Sequence, residues 1–494
     1  MNRNQEKKRR PRIRRAAADA GRVVFCASEA APLAKTGGLA DVVGTLPPVL
    51  ARRGIPVTVF LPLYRQIAAA KCRREKIAAH LYRTPLARGV DCYLIEHNHY
   101  FDRAGLYQEN GSDYPDNLDR FAFFSLQVLK TVRQLRLQPA VIHCHDWQTA
   151  LIPLYLKTRY AHDSFFRKVK TILTIHNLGY QGIFPVTEFS KLGLDERFFS
   201  LDGLEFYGQI NLLKGGLLFA DRLTTVSPTY AREIQTIDYG CGLEGVLRQR
   251  AHDLTGILNG ICPREWDPQR HPALARQYGP DTLRGKLDNK YALQQRCGLP
   301  VSAAVPLVAM ITRLADQKGL DILSRVMESI CRLPVQFVLL GTGEPGYHSY
   351  FTALAERFSN ISVHLRFDAL LAAQVYAGSD IFLMPSRYEP CGLGQLISLR
   401  FGTLPIVRST GGLADTIEDY DPFRGQGTGF VFDAYQSGAL LEAVKRALCV
   451  YRQPARWKAL MQRGMRADFS WEKSAGAYAR LYRSVCGQKS PERA

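Results

Sequence analysis

Short runs of β-branched and apolar residues alternate with longer stretches of helical periodicity, and this alternation limits the fold more than any other feature of the chain. The runs are Val23 to Ala27, Pro56 to Leu61, Asp91 to Ile95, Ala140 to Cys144, Thr171 to Ile175 and Arg222 to Val226. After a change of texture they resume at Leu307 to Ile311, Gln336 to Leu340, Ile361 to Leu365, Ile381 to Met384 and Leu404 to Val407. Strands separated by helices of this length build parallel sheets with helices on both faces. Ligands of such sheets sit beyond the carboxyl ends of the strands, and the unusual polar residues of this chain fall there. Around residues 256–272, Gly, Pro and Trp266 interrupt the alternation. The chain is therefore α/β, with doubly wound lobes expected at residues 21–262 and 263–475, since one core rarely serves 494 residues. The last helical stretch, Trp471 to Val485, sets Tyr478, Leu481 and Tyr482 at helical spacing; residues 476–494 are expected to be a C-terminal helix and tail, for which packing back on the first lobe is one arrangement that spacing alone does not show.

The hexapeptide Thr-Gly-Gly-Leu-Ala-Asp occurs at Thr36 to Asp41 and again at Thr410 to Asp415, each time between a β-like run and a helix start. Paired glycines at such a turn let backbone N–H groups approach an anion, and the helix N-terminus adds partial positive charge. One copy in each lobe suits a diphosphate-bearing substrate held between them.

Composition excludes several classes. No apolar run is long enough to cross a bilayer, and none follows the basic start as a signal peptide requires; a cytoplasmic protein with no membrane partner is expected. The 11 cysteines lack a C-x-x-C pair, which favours reduced thiols over disulfides or metal clusters. The net charge of +20 is partly an arm: residues 1–20 carry eight cations against Glu6 and Asp19, lack apolar periodicity and are expected to be disordered. A transit peptide is the alternative for this arm. The rest of the excess is spread without clustered stacking aromatics, so a solvated basic face with anion pockets is favoured over specific nucleic-acid binding.

Several constellations lie just past strand ends. Lys35 beside Gly37 and Gly38 suits a phosphate, or is an exposed lysine on a tight turn. His143-Cys144-His145-Asp146-Trp147 and His176-Asn177 place polar groups at adjacent strand ends, which suits a sugar, a satisfied core histidine being the alternative for His143 or His145; no third ligand is spaced for a metal. Arg313 and Lys318 can converge on a pyrophosphate, or pair with local carboxylates. Gly341-Thr-Gly-Glu-Pro-Gly346 fits the dinucleotide pattern formally, but the acid expected further on is not convincing. Glu389, in Pro385 to Leu393, can bind sugar hydroxyls or offset an oxocarbenium-like charge. Cys391 lies at a helix start, a setting that lowers a thiol pKa; packing or substrate lining is its expected role.

Together these segments closely resemble the bacterial and plastid glycogen/starch synthases, glycosyltransferase family 5. The matching stretches are Ser28 to Pro32 with Lys35 to Asp41, His145 to Trp147, Thr174 to Asn177, Leu213 to Gly216, Val226 to Ala231 through Tyr239 to Gly242, Asn259-Gly260, Arg313 to Gly319, Pro385 to Leu393 and Thr410 to Asp415. The resemblance implies a GT-B fold, two Rossmann-like domains facing a central cleft. It also implies transfer of glucose from ADP-glucose to the non-reducing end of an α-1,4-glucan such as glycogen, with retention of configuration. By the same resemblance, Glu389, His176, Asp146, Arg313 and Lys318 are the catalytic set. Lys35, Gly37, Gly38, Thr410, Gly411 and Gly412 lie at the phosphates, Tyr376 stacks on the adenine, and Tyr107 is on the sugar side. Asn259, Cys391, Gly392 and Leu393 complete the substrate contacts. No cofactor is implied, and two cations on the diphosphate make a divalent metal unnecessary. The pattern is departed from at Cys262, Ala373, Gln374, Gly394 and Ile397. The alternatives are a related glucosyltransferase using UDP-glucose or another acceptor, and a catalytically impaired glucan-binding homologue. Oligomeric state is not set by any of these features.

Overall fold

The computed structural model describes residues 21–70, 72–109 and 111–487. The basic arm expected at residues 1–20 lies outside the described residues. The chain forms two units, Met1–Leu258 joined by Trp471–Ala494, and Asn259–Ser470. The division falls a few residues before each boundary expected from sequence. Ile261 and Ser470 form a bridge that ties the entry and exit of the second unit together, and the Ile261 N–H donates to the Phe469 carbonyl at 2.9 Å.

The first unit opens with β1 (Val23–Cys26), followed by α1 (Gly38–Arg52), β2 (Val57–Pro62), β3 (Glu75–Ala78), β4 (Leu81–Ala87) and β5 (Val90–Ile95). After α2 (Asn117–Gln134) come β6 (Val141–His145), β7 (Lys170–Ile175), β8 (Arg222–Thr225) and β9 (Leu254–Gly256). They make a nine-stranded sheet in the order β9-β8-β7-β6-β1-β2-β5-β4-β3, parallel except at the β5-β4-β3 edge. Strands covered on both faces read as unbroken apolar runs, and every residue of β1 and β2 is buried. Cys26 lies opposite both Phe60 and Cys144, which makes β1 the centre from which the chain winds first one way and then the other. A three-stranded antiparallel sheet, Ile183–Pro185, Gln209–Asn211 and Glu205–Phe206, projects from the region after β7.

The C-terminal helix Trp471–Val485 belongs to this unit and packs on α1. Its apolar stripe buries Trp471, Tyr478 and Tyr482. Arg52, the last residue of α1, and Arg53 just after it pair with Glu472 at 3.2 and 3.1 Å.

The second unit contains β10 (Leu307–Ile311), α3 (Leu320–Cys331), β11 (Gln336–Leu340), β12 (Ile361–His364), α4 (Ala369–Gly378), β13 (Ile381–Met384), α5 (Gly394–Arg400), β14 (Leu404–Arg408), α6 (Gly411–Thr416) and β15 (Phe430–Phe432). Its six strands are all parallel in the order β12-β11-β10-β13-β14-β15. That is the Rossmann order, with its topological switch between β10 and β13.

Candidate functional site

In the first unit the switch lies between β1 and β6, and the loops leaving those strands diverge there. Glu29, just past β1, is 4% exposed and organises the turn that leads into α1. Its carboxylate accepts from the Thr36 N–H at 2.5 Å, the Thr36 hydroxyl at 2.6 Å, the Gly37 N–H at 3.1 Å and the Tyr107 hydroxyl at 2.7 Å. The Gly37 amide is thus engaged by a carboxylate of the protein itself, and Gly38 begins α1. Tyr107 also meets Ser28 at 2.6 Å. Lys35 pairs with Asp41 of its own turn at 2.5 Å and is 43% exposed.

Asp146 lies directly after β6 in a backbone conformation, φ 56° and ψ −172°, that an L-residue rarely holds. Its Oδ1 accepts from the His176 N–H at 2.7 Å. Burial pushes this carboxyl up to about 7, against the pull of the His176 and Asn177 amides and with a further push from Glu29. Behind it, His145 Nδ1 meets His176 Nε2 at 3.0 Å. Burial lowers His143 and His176 to about 3 and His145 well below its ordinary value, so all three rings are neutral. Placing the shared proton on His145 Nδ1 leaves only a lone pair at its buried, unpartnered Nε2, and it leaves the proton of His176 on Nδ1. The His143 ring packs on that of His145 at 4.3 Å and bonds Tyr482 at 2.9 Å and Thr174 at 2.6 Å, so the C-terminal helix braces this strand end. Trp147 is buried beside Asp146, and Gly182 lies flat on its ring: a Cβ there would stand 2.5 Å from Cε3.

In the second unit the loops after β10 and β13 flank the switch. Lys318 Nζ reaches both carboxylate oxygens of Glu389, at 2.7 and 3.0 Å, and the Ser386 hydroxyl adds a bond of 2.9 Å. Lys318 and Glu389 are 17% and 8% exposed. Arg313 is exposed and donates to Gln317 at 3.0 Å. The loops are joined by the Arg387 N–H donating to the Gln317 carbonyl at 2.9 Å. Arg387 itself is held by Asp321 at 2.8 Å and lies over the Tyr435 ring.

Glycines set these loops by backbone contact. A Cβ at Gly319 would overlap the Pro385 carbonyl oxygen, one at Gly411 that of Glu389, and one at Gly412 that of Cys391. The Gly412 N–H donates to the Glu389 carbonyl at 3.1 Å. Gly411 and Gly412, placed at a phosphate by the sequence pattern, therefore act first as the floor on which the Glu389 loop rests. The Gly341 to Gly346 turn does the same for Arg313: Gly341 and Gly343 abut the Thr312 and Leu314 carbonyls, and the Leu314 N–H donates to Thr342 at 3.0 Å. It is a clamp on that loop.

Two sequence expectations need correction. Tyr376, placed on the adenine by resemblance, is 5% exposed and packed against Trp266, Phe382 and Phe401. It ends α4 where β13 begins, at the amino edge of the sheet, away from the loops just described. Phe367, 86% exposed and just past β12 at the carboxyl edge, is an aromatic open to solvent on that side. For Cys391, burial outweighs the helix start: the thiol is pushed up to about 12 despite the Asn259 backbone beside it. Asn259 stands in the second unit, buried, with its Oδ1 unpartnered. Gly392 takes φ +73° beside Glu389 Cγ, Leu393 precedes α5, and Thr410 stands directly before α6. Sequence reasoning missed Glu29 and Ser386, although an acid directly after the first strand was a usable signal. Of the departures, Ala373 is buried, Gln374 donates to the Ala273 carbonyl at 3.0 Å, and Gly394 seats against Phe382. Among the described residues no three His, Cys, Asp or Glu side chains are placed to share an ion, and no helix is long and apolar enough to cross a membrane.

The starch synthase catalytic domain family matches residues 22–249, and the group 1 glycosyl transferases match residues 299–460. A glycogen synthase of Syntrophotalea carbinolica is 47% identical over 94% of this chain and 98% of its own. Glycogen synthase 2 of Geobacter sulfurreducens is 46% identical over 94% and 98%. The catalytic domain of starch synthase IV from Arabidopsis thaliana, bound to ADP and acarbose, superposes with a TM-score of 0.88 at 33% identity, covering 95% of this chain and all of that one. A sucrose-phosphate synthase from Thermosynechococcus elongatus shares the fold at 17% identity and a TM-score of 0.58. With two Rossmann-like sheets and matches of this extent, the chain belongs to the glycogen and starch synthase family of GT-B glucosyltransferases.

Proposed function

We propose that the chain transfers glucose from ADP-glucose to the non-reducing end of an α-1,4-glucan with retention of configuration, in the cytoplasm. The observation that carries this reading is the Lys318–Glu389 pair at the switch of the second unit. A carboxylate and an ammonium, both largely withdrawn from water, are held at a strand end by Ser386 and by glycine-floored loops. Donor chemistry needs that combination. As the bond from glucose C1 to the diphosphate oxygen breaks, its electron pair moves to the departing ADP, and Lys318 and Arg313 stabilise that charge. Positive charge grows at C1, where Glu389 supplies negative potential; in the first unit, Asp146 and neutral His176 offer a carboxylate and a hydrogen bond of the kind that orients a sugar. The acceptor 4-hydroxyl forms the new C1–O bond, and its proton passes to the departing diphosphate. In the first unit, Lys35 and the Gly38 helix start offer a cation and a helix N-terminus of the kind that binds phosphate. With Gly37 already bonded to Glu29, the latter's role is to hold that turn open in shape.

The test is Glu389→Gln and Lys318→Ala, assayed for label transfer from ADP-glucose to glycogen. Both are expected to lower kcat by roughly 10²- to 10⁴-fold with the fold retained. Near-normal turnover in either variant rejects the assignment.

A further inference from the structure

The turn between Glu205–Phe206 and Gln209–Asn211 contains only Tyr207 and Gly208, and Phe206 pairs directly with Gln209. Both turn residues have positive φ, 50° for Tyr207 and 77° for Gly208. Two-residue hairpin loops of this kind favour Asn-Gly or Gly-Gly, and a bulky side chain in the first place is strained. Tyr207 is nonetheless 80% exposed: its ring meets Phe206 edge-on at 4.7 Å, and the rest of it faces solvent. The hairpin is braced in spite of it: Glu205 Oε1 accepts from the Gly208 N–H at 2.8 Å, and Gly242 lies beneath the rings of Phe206 and Tyr207.

This tip is tied to the loop that carries His176. The Asn211 side chain donates to Gln181 at 2.6 Å, and Gln181 donates to the Cys241 carbonyl at 3.0 Å, one residue before Gly242. The next residue, Gly182, lies on Trp147, beside Asp146. Tyr180, in the same loop, is 51% exposed. Two exposed tyrosines, one at the tip of this sheet and one in the loop that enters it from His176, present flat faces on which pyranose rings stack while their hydroxyls stay in water.

We propose that Tyr207, with Tyr180, forms a platform that binds the body of the α-1,4-glucan acceptor, away from the end that reacts. This rests on the acceptor assigned above. The strained tyrosine is kept because its ring holds long chains, at some cost in stability.

The decisive variant is Tyr207→Asn, because asparagine suits a positive φ and the hairpin folds with less strain. Its melting temperature is expected to rise by roughly 1–2 °C. Its KM for glycogen is expected to rise roughly three- to tenfold, as loss of one aromatic stack would produce. The kcat, the KM for ADP-glucose and the KM for maltotriose are expected to change less than about twofold. Phe423→Ala, a 98% exposed ring of the second unit, is the control that leaves all of these unchanged. An unchanged glycogen KM in Tyr207→Asn, or an equal loss with maltotriose, overturns the platform. Electrophoresis through glycogen-containing gels separates this from the reaction itself. If wild-type protein transferred no glucose, the functional reading would fail, yet retardation of wild type and not of Tyr207→Asn would still support the platform. Equal mobility of the two would reject it.

Discussion

Replacing Asp146 by asparagine should make the first unit more stable above neutral pH while abolishing glucosyl transfer. The carboxyl is 9% exposed, and burial raises it from an ordinary value near 4 to about 7. A raised pKa means that the folded state binds the proton more tightly than the unfolded chain. Stability from this group is therefore complete below about pH 4 and lost as pH climbs through about 7. A difference of roughly three pKa units corresponds to on the order of 4 kcal/mol. Asparagine keeps an acceptor for the His176 N–H and tolerates positive φ as well as aspartate does, so the variant removes the charge with little else. The assay is urea unfolding at half-unit steps from pH 4 to 8.5, monitored by tryptophan fluorescence, for both proteins. Groups common to the two cancel in the difference. Wild type minus variant should fall by a few kcal/mol between pH 4 and 7 and then level off. Wild-type kcat/KM should rise through about pH 7 as the carboxylate forms, and the variant should show neither the rate nor that rise. A flat difference curve, or one that climbs with pH, would refute the claim that Asp146 is a buried, destabilised carboxylate.

Gly411→Ala places a Cβ into the Glu389 carbonyl at φ +46°. It should cost about 2–4 kcal/mol in the second unit, and by displacing the Glu389 loop it should lower kcat about 100-fold; calorimetry with initial rates checks both. Phe367→Ala should raise the KM for ADP-glucose roughly three- to tenfold with stability within about 0.5 kcal/mol of wild type. Tyr376→Leu, in the core, should instead lower stability and spare the donor KM.

The central strands were legible because parallel strands covered on both faces must be apolar throughout, as Val23–Cys26 and Leu307–Ile311 are. The β3-β4 edge was not: Glu-Lys-Ile-Ala lies half in solvent, and its pairing depends on a neighbour rather than on its own composition. The strand-end positions of Asp146, His176, Lys318 and Glu389 were legible, since topology alone delivers them to carboxyl edges, whereas Glu29 at the first strand end was missed. Their electrostatics were not. The helix start beside Cys391 can be read from sequence, but the burial that overrides it cannot. Glycine motifs carried the same ambiguity. Gly37, Gly341, Gly343, Gly411 and Gly412 fit anion-binding patterns, and the structure shows the amide of Gly37 bonded to Glu29 and the others pressed against backbone carbonyls. A sequence shows that a backbone approaches something closely, but not what it approaches.

The central claim is tested most directly by incubating the wild-type protein with glycogen and either ADP-[14C]glucose or UDP-[14C]glucose, then digesting the product with β-amylase. Label from ADP-glucose should enter the polymer and be released almost wholly as maltose, the signature of new α-1,4 units at non-reducing ends, with far less from UDP-glucose. A correctly folded protein that leaves the label in the donor, or incorporates it only from UDP-glucose, would contradict the account.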